Sequence, residues 1–268
     1  MIQRLLILIA FSLIALPIAA ERTESHCLAF AEREDRVPIQ YASTALQEGE
    51  VALRYIRHSM YEIQGAGGVR IVTDYNGGIA FSPDVVTMNN AHSSHYSPIP
   101  DPKITHVLKG WGEGGAPADH ELELEEVLIR NVTTDIRSEW TGVNPDGNSI
   151  FIFEMAGLCI GHLGHLHHEP SAEQYAQIGR LDVVMANVDG GVSLNTKTML
   201  KVAKRLRASV VLPMHWWGRL TLDDFLKGMA DEFAIEERQG HSLIMSLDLL
   251  PRQPTVIVLQ PRLFEDFE

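Results

Sequence analysis

Histidine carries the chemistry that this chain could do, because it recurs where apolar runs give way to loops. Asp84 to Tyr96 reads DVVTMNNAHSSHY: a short apolar run, Val85 to Met88, then a polar loop with His92 and His95. Leu158 to His168 reads LCIGHLGHLHH, an apolar run that ends in His162, His165, His167 and His168. Ser209 to Trp217 reads SVVLPMHWW and ends in His215. Neutral imidazole is a good ligand for zinc and related metals, and a strand end holds a loop still enough to aim one. One HxxH pair by itself reads as exposed loop residues. Three strands delivering histidine from their C-terminal ends would bring the imidazoles to one point if they lie near each other in one sheet.

The elements that must do this positioning follow from periodicity. Val51–Ile56, Met60–Ile63 and Val69–Asp74 read as strands, with GAGG as the turn between the last two. Thr105–Lys109 reads as a strand between Pro- and Gly-rich loops. Glu121–Val132 reads as two strands or one bent strand. Pro145–Asn148, PDGN, reads as a turn ahead of a hairpin formed by SIFIFE and LCIG. Ser171 with Gln174 forms a capping box for a helix that stops at Gly179, and Thr221 with Asp224 forms a second. Asn195–Arg207 has the apolar spacing of an amphipathic helix. DVVMANV, SVVLPM and TVIVLQ are the remaining strands. Strands first, then strands alternating with helices, point to an α/β or α+β layered fold.

Composition narrows the function classes. The chain has 268 residues, is 45% hydrophobic and carries a formal charge of −13. That length suits one large domain, and that charge argues against a nucleic-acid surface. A small-molecule substrate is the expected partner, and oligomeric state is open. Residues 1–20 carry Arg4, a continuous apolar stretch and a small-residue end at Ala19–Ala20, which reads as a secretory signal peptide. An uncleaved membrane anchor is the second reading of this stretch. Cleavage would leave a periplasmic or secreted protein with no stable membrane span. Residues 21–49 form an N-terminal arm with one helix around Leu28–Arg33, and 50–268 form the domain. The two cysteines, Cys27 and Cys159, could pair in an oxidising compartment. Cys159 lies in a predicted core strand, so the default reading is a buried free thiol.

From Val51 to Leu259 the chain resembles the metallo-β-lactamase superfamily. More narrowly, it is similar to the Zn-dependent hydrolases related to L-ascorbate-6-phosphate lactonase. The resemblance rests on HSMYEI with His58, VRIVTDY with Asp74, the histidine loop, GNSIFIFEMAGLCIGHLGHL, DVVMANVDGG and VVLPMHWW, in that order. It implies a four-layer αβ/βα sandwich. The superfamily loop HxHxDH reads NxHxSH here, from Asn90 to His95. Asn90 replaces a histidine, Ser94 replaces an aspartate, and the later Gly-Asp falls on Gly164 and His165. The segment after Val127 offers Thr133, Thr134 and Asp135 in place of a further histidine. The implied ligand set is His92, His95, His165 and His215, around one or two ions; zinc is the first candidate, and other transition metals accept such ligands.

The resemblance implies further roles. His58 would face the pocket, and Asp74 would orient the histidine loop by hydrogen bonding. Asp189 is the spare carboxylate for proton transfer, with a turn-forming role as the alternative. His162 is a second candidate for catalysis or for support behind the ligands. Asn90, Ser94, Asp135 and Trp111 are pocket candidates; Trp111, Trp216 and Trp217 would be core or rim aromatics, able to shape an apolar substrate site. The function expected is a metal-dependent hydrolase acting on an ester, lactone or phosphoester. The alternative is a non-catalytic metal- or ligand-binding protein on the same fold.

Overall fold

Among the described residues, strong β formers make the first half of the chain all strand. Its elements are β1 (Val51–Arg57), β2 (Met60–Gly65), β3 (Arg70–Val72), β4 (Val85–Met88) and β5 (His106–Lys109). Strands β1, β2 and β3 pair antiparallel in succession, then β4 and β5 join in parallel after longer loops. They are followed by β6 (Glu121–Leu124), β7 (Val127–Ser138), β8 (Gly142–Met155) and β9 (Leu158–His162). Helices then alternate with strands: α1 (Ala172–Ile178), β10 (Val183–Asn187), α2 (Thr196–Leu206), β11 (Val210–Met214) and α3 (Arg219–Met229). The chain closes with β12 (Ala234–Glu237), β13 (Ser242–Met245) and β14 (Thr255–Val258). The computed structural model describes residues 24–28, 46–113, 116–138 and 142–262. The signal-peptide reading of residues 1–20, and nearly all of the helix expected at Leu28–Arg33, lie outside the described residues. Among the described residues no helix is long and apolar enough to cross a membrane.

Two mixed sheets form. One has six strands in the order β13-β1-β2-β3-β4-β5, the other eight in the order β12-β14-β11-β10-β9-β8-β7-β6. The core between them takes alternate residues of facing strands: Leu53, Ile63 and Ile71 from one sheet, Phe151, Phe153, Met185 and Leu212 from the other. The intervening residues Ile150, Ile152, Val184 and Val211 point to the opposite face, where they meet Met199, Val202, Phe225 and Met229 of α2 and α3. Burial on both faces explains why these strands read as continuous apolar runs rather than alternating ones. The outer face of the six-stranded sheet is covered differently. Among the described residues Tyr75, Ile79, Phe81, Tyr96, Ile104 and Trp111, from loops, pack on Ile56, Val72, Val86 and Met88. The sandwich is therefore the expected one, with loops rather than a described helix as its fourth layer.

Four local expectations change. PDGN is not a turn but a bulge inside β8: Thr134 pairs with Asn148 and Ile136 with Asn144, so three residues of β8 face Asp135. Asp146, at φ 52°, absorbs the irregularity and donates its N–H to Asp135 Oδ1 at 3.1 Å. Helix α3 starts at Arg219, two residues before the expected capping box, from Gly218 with no side-chain cap. Strands β12 and β13 were not anticipated; β13 leaves the helical half to pair with β1, Leu53 opposite Leu243. Finally, Cys27 and Cys159 are joined by a disulfide, with Cα atoms 5.8 Å apart, so the free-thiol reading fails. Burial of Cys159 did not distinguish the two states, because a disulfide is buried equally well.

Candidate metal centre

Parallel pairing places the chemistry. Strands β9, β10 and β11 run parallel to one another, as do β3 and β4, so the loops leaving each set emerge on one edge. From those ends come Asp74 after β3, His92 and His95 after β4, His165 after β9, Asp189 after β10 and His215 after β11. The β1–β2 hairpin adds His58 from the six-stranded sheet. His58, Asp74 and His215 all have positive φ, at 51°, 49° and 61°. L-residues rarely adopt this region, and outliers of this kind concentrate at functional sites. The His58 carbonyl accepts hydrogen bonds from the His215 N–H at 2.8 Å and the Tyr55 hydroxyl at 2.7 Å, which holds the two turns together.

The imidazoles converge. His95 Nε2 lies 3.1 Å from His215 Nε2 and 2.6 Å from His165 Nδ1. One ligand atom from each of His58, His95 and His215 fits within 4.8 Å of the other two. His95 Nδ1 is 2.7 Å from Asp74 Oδ2, and His215 Nδ1 is 2.9 Å from Asp189 Oδ2. A carboxylate accepts only, so His95 Nδ1 carries the proton and its Nε2 presents a lone pair; His215 Nδ1 meets Asp189 at ion-pair distance without hydrogen-bond geometry, and the same tautomer leaves its Nε2 a lone pair. Two lone pairs then face each other, with a third imidazole beside them. Among the described residues His58 Nε2, also buried, has no hydrogen-bond partner. A cation bound by these nitrogens reconciles both features, and carboxylate-oriented imidazoles are the usual support of such an ion.

Electrostatics agree with that use. Burial first, then the neighbouring His215 and His95, pushes His58 down to about 3. Burial and the same kind of neighbours push His165 down to about 2. Burial alone would raise the Asp74 carboxyl; the His95 imidazole and the Asn89 N–H outweigh it and hold Asp74 well below the carboxylate range. Asp189 is likewise held low against burial, by His215, the Ser193 hydroxyl and the N–H groups of Gly191 and Ser193. The site thus offers His58 and His165 as neutral imidazoles close to two ionised carboxylates.

These shifts fix a pH dependence. The folded values of His58 and His165 lie below the ordinary 6.5, so below that pH the unfolded chain binds protons that the folded chain refuses. Their contribution to stability is present above about pH 6.5 and is lost as pH falls toward 3. The carboxylates lose theirs only below their ordinary 3.8. The melting temperature of metal-free protein is expected to fall steadily from pH 7 to pH 4. A flat profile over that interval contradicts the assignment.

The residues expected from sequence divide into three groups. His95, His165 and His215 meet, and His58 joins them more closely than a pocket residue would. His92 stands at the exposed mouth, its ring 6.1 Å from that of His95 and 5.9 Å from that of His165, with Nδ1 2.7 Å from Ser94 Oγ. Asp74 takes its expected orienting place. Asp189 accepts from Gly191 N, Ser193 N and Ser193 Oγ while facing His215, so it is committed to holding a loop and an imidazole rather than left spare for proton transfer.

The third group stands elsewhere. His162 is buried with both nitrogens engaged: Nε2 donates to Ser59 O at 2.7 Å, and Nδ1 accepts from Gly164 N at 3.1 Å. It ties the two sheets together behind the cluster and has no free nitrogen for catalysis. Asn90 donates from Nδ2 to Gly147 O and accepts the His92 N–H on Oδ1, so its amide is anchored beside the histidine loop. Asp135 is exposed and serves the β8 bulge. Trp111 packs edge-on against Tyr96 in the loop layer, 5.6 Å between centroids.

Sequence reasoning passed over Asn89 and Asn148. Asn148 Oδ1 accepts the His165 N–H at 2.7 Å, and Asn89 bonds Asp74, Ser149 and His162. The available signal was a pair of asparagines directly abutting apolar strand ends, where a fully buried amide has to find partners.

Residues 52–215 match the β-lactamase superfamily domain. Among solved structures the chain is similar to a candidate Zn-dependent hydrolase of the metallo-β-lactamase superfamily from Thermotoga maritima. The two are 26% identical over 79% of this chain and 100% of that one, with a TM-score of 0.59. A candidate metal-dependent hydrolase from Parabacteroides distasonis shares the fold at 14% identity and TM-score 0.55, covering 72% of this chain and 94% of that one. So does CmlA, a diiron β-hydroxylase from Streptomyces venezuelae, at 11% identity and TM-score 0.50, covering 75% of this chain and 55% of that one. No curated protein matches the chain in sequence.

Proposed function

The chain belongs to the metallo-β-lactamase superfamily, and from that membership and the histidine cluster we propose that it is a metal-dependent hydrolase of small molecules. The observation that carries this reading is the meeting of His58, His95, His165 and His215, two of them braced by buried carboxylates. A divalent transition metal in such a setting supplies Lewis acidity and an activated water. Zinc is the proposed ion. His58, His95, His165 and His215 would hold it, with His92 at the mouth within reach of an arriving substrate or a second ion. Asp74 and Asp189 keep His95 and His215 in the tautomer whose Nε2 is free. Bond classes proposed are ester, lactone and phosphoester, following the likeness to ascorbate-6-phosphate lactonase.

We further propose a periplasmic or secreted location. The apolar stretch at residues 1–20 supports it, and so does the Cys27–Cys159 disulfide, since such bonds persist in oxidising compartments.

The test is metal content together with turnover. Purified protein is expected to hold at least one equivalent of transition metal and to hydrolyse a member of an ester, lactone and phosphoester panel, with chelation abolishing turnover. Full metal occupancy without turnover on any member would place the chain among non-catalytic metal-binding proteins of the same fold.

A further inference from the structure

Trp217 is 72% exposed although it follows directly on a centre of buried histidines. Its ring lies 4.9 Å from that of His58 and 6.1 Å from that of His215. The neighbouring Trp216 packs into both interior clusters and anchors the segment, so Trp217 is held outward at the edge of the centre. Leu220 is 77% exposed in the first turn of α3, and Val192 is 58% exposed in the loop after β10. These two segments touch: a Cβ on Gly190 would lie 2.8 Å from Thr221 Cγ2. The Val192 loop is also tied by hydrogen bonds at both its N–H and carbonyl groups. Asp189 accepts from its N–H groups, and the two N–H groups of Arg137 Nη2 are shared among the carbonyls of Gly191, Val192 and Ser193, at 3.1, 2.6 and 2.5 Å. Large apolar side chains displayed on fixed loops beside a polar centre mark a binding surface rather than scattered exposure.

Charge on the same segments is spoken for. Among the described residues, stretches 57–59, 89–96, 162–168, 188–193 and 215–221 contain two cationic side chains, Arg57 and Arg219, and Arg137 reaches the 188–193 loop from β7. Arg57 donates to Asn76 Oδ1 and Gly77 O, and Arg219 is paired with Glu237 and Asp223. Among these described residues, a phosphate or carboxylate on the substrate would find each guanidinium already engaged by a partner of its own.

We infer that Trp217, with Leu220 and Val192 exposed on the adjoining segments, is the specificity subsite for the apolar acyl or aryl group of an uncharged ester or lactone. This rests on the hydrolase reading and narrows it, removing phosphoesters from the substrate class. The ring receives the apolar group by stacking, while the scissile carbonyl sits over the histidines.

The test compares metal-loaded wild type, Trp217→Phe and Trp217→Ala on p-nitrophenyl acetate, butyrate, hexanoate and phenylacetate, and on bis(p-nitrophenyl) phosphate. In wild type, hexanoate and phenylacetate are expected to exceed acetate in kcat/KM by about tenfold or more, since a methylene moved out of water is worth about 0.8 kcal/mol. Trp217→Phe keeps most of that preference; Trp217→Ala brings it to within about threefold. Metal-free protein provides a second readout: N-benzylacetamide binding, followed by calorimetry, is expected to weaken about tenfold in Trp217→Ala. Ester turnover with no chain-length preference, or with a preference that survives Trp217→Ala, overturns the subsite. Phosphodiester turnover without ester turnover overturns it while the hydrolase reading stands. If nothing in the panel is hydrolysed, the hydrolase reading fails, and equal binding of N-benzylacetamide by wild type and Trp217→Ala removes the subsite as well.

Discussion

His95→Ala is expected to abolish both metal retention and turnover, the latter by more than about a thousandfold, because the site loses the group that activates water at neutral pH. His95 is the centre of the cluster: its Nε2 faces His165 and His215, and its Nδ1 meets Asp74. Removing the ring also strands a fully buried carboxylate, a change that costs about 3–5 kcal/mol when a buried pair is broken. Asp74→Asn separates the two effects. It keeps the side-chain shape but withdraws the ionised acceptor from His95, and it is expected to lower metal affinity by about 10–100-fold with the fold intact. A second contrast bears on which histidines hold the ion. His58→Ala should weaken metal binding more than His92→Ala, since His58 contributes a buried unpartnered nitrogen and His92 an exposed ring. Metal titration with elemental analysis measures all four variants. Normal metal content in His95→Ala, or a larger loss in His92→Ala than in His58→Ala, contradicts the centre as described.

Opening the disulfide is expected to produce the largest loss of stability that leaves the site untouched. Cys27 and Cys159 are 132 residues apart, and cross-linking a loop that long removes chain entropy worth about 5 kcal/mol by the loop-closure relation, with about 2–5 kcal/mol usual in practice. Local bonds add to it. The Cys27 carbonyl accepts the Arg180 N–H at 3.0 Å, and the Cys27 N–H reaches Glu154 Oε2 at 3.4 Å. Cys27→Ser combined with Cys159→Ser should lower the melting temperature by about 5–15 °C, since each kcal/mol moves a chain of this size by about 2–4 °C. Metal content measured below the transition should match wild type, because neither sulfur approaches the histidine cluster's ligand set. Calorimetry with and without reductant checks the same point on the native sequence. An unchanged melting temperature would mean that the bond constrains nothing the rest of the fold does not already hold.

The two results divide along the line between local and tertiary information. Strands such as Val85–Met88, Val183–Asn187 and Val210–Met214 were legible because a parallel strand buried on both faces writes itself as an uninterrupted apolar run. Helix α1 was legible down to its cap, Ser171 with Gln174, since capping is a contact three residues long. The end of β4 with His95, the end of β9 with His165 and the end of β11 with His215 were legible for the same reason: each is a strand exit followed at once by an imidazole.

What tertiary structure decided depends on partners remote in sequence. His58, expected to face the pocket, was brought beside His95 and His215 themselves by the packing of the β1–β2 turn against the end of β11, and His92, inside the recognisable loop, turned outward instead. His162 and Asn90 are held by Ser59 O and Gly147 O, 103 and 57 residues away, partners that no local stretch of sequence announces. Cys27 met Cys159 on the same terms. A short stretch of sequence determines the conformation of its own backbone; which polar atoms remain free for chemistry is decided by whatever the rest of the fold brings beside them.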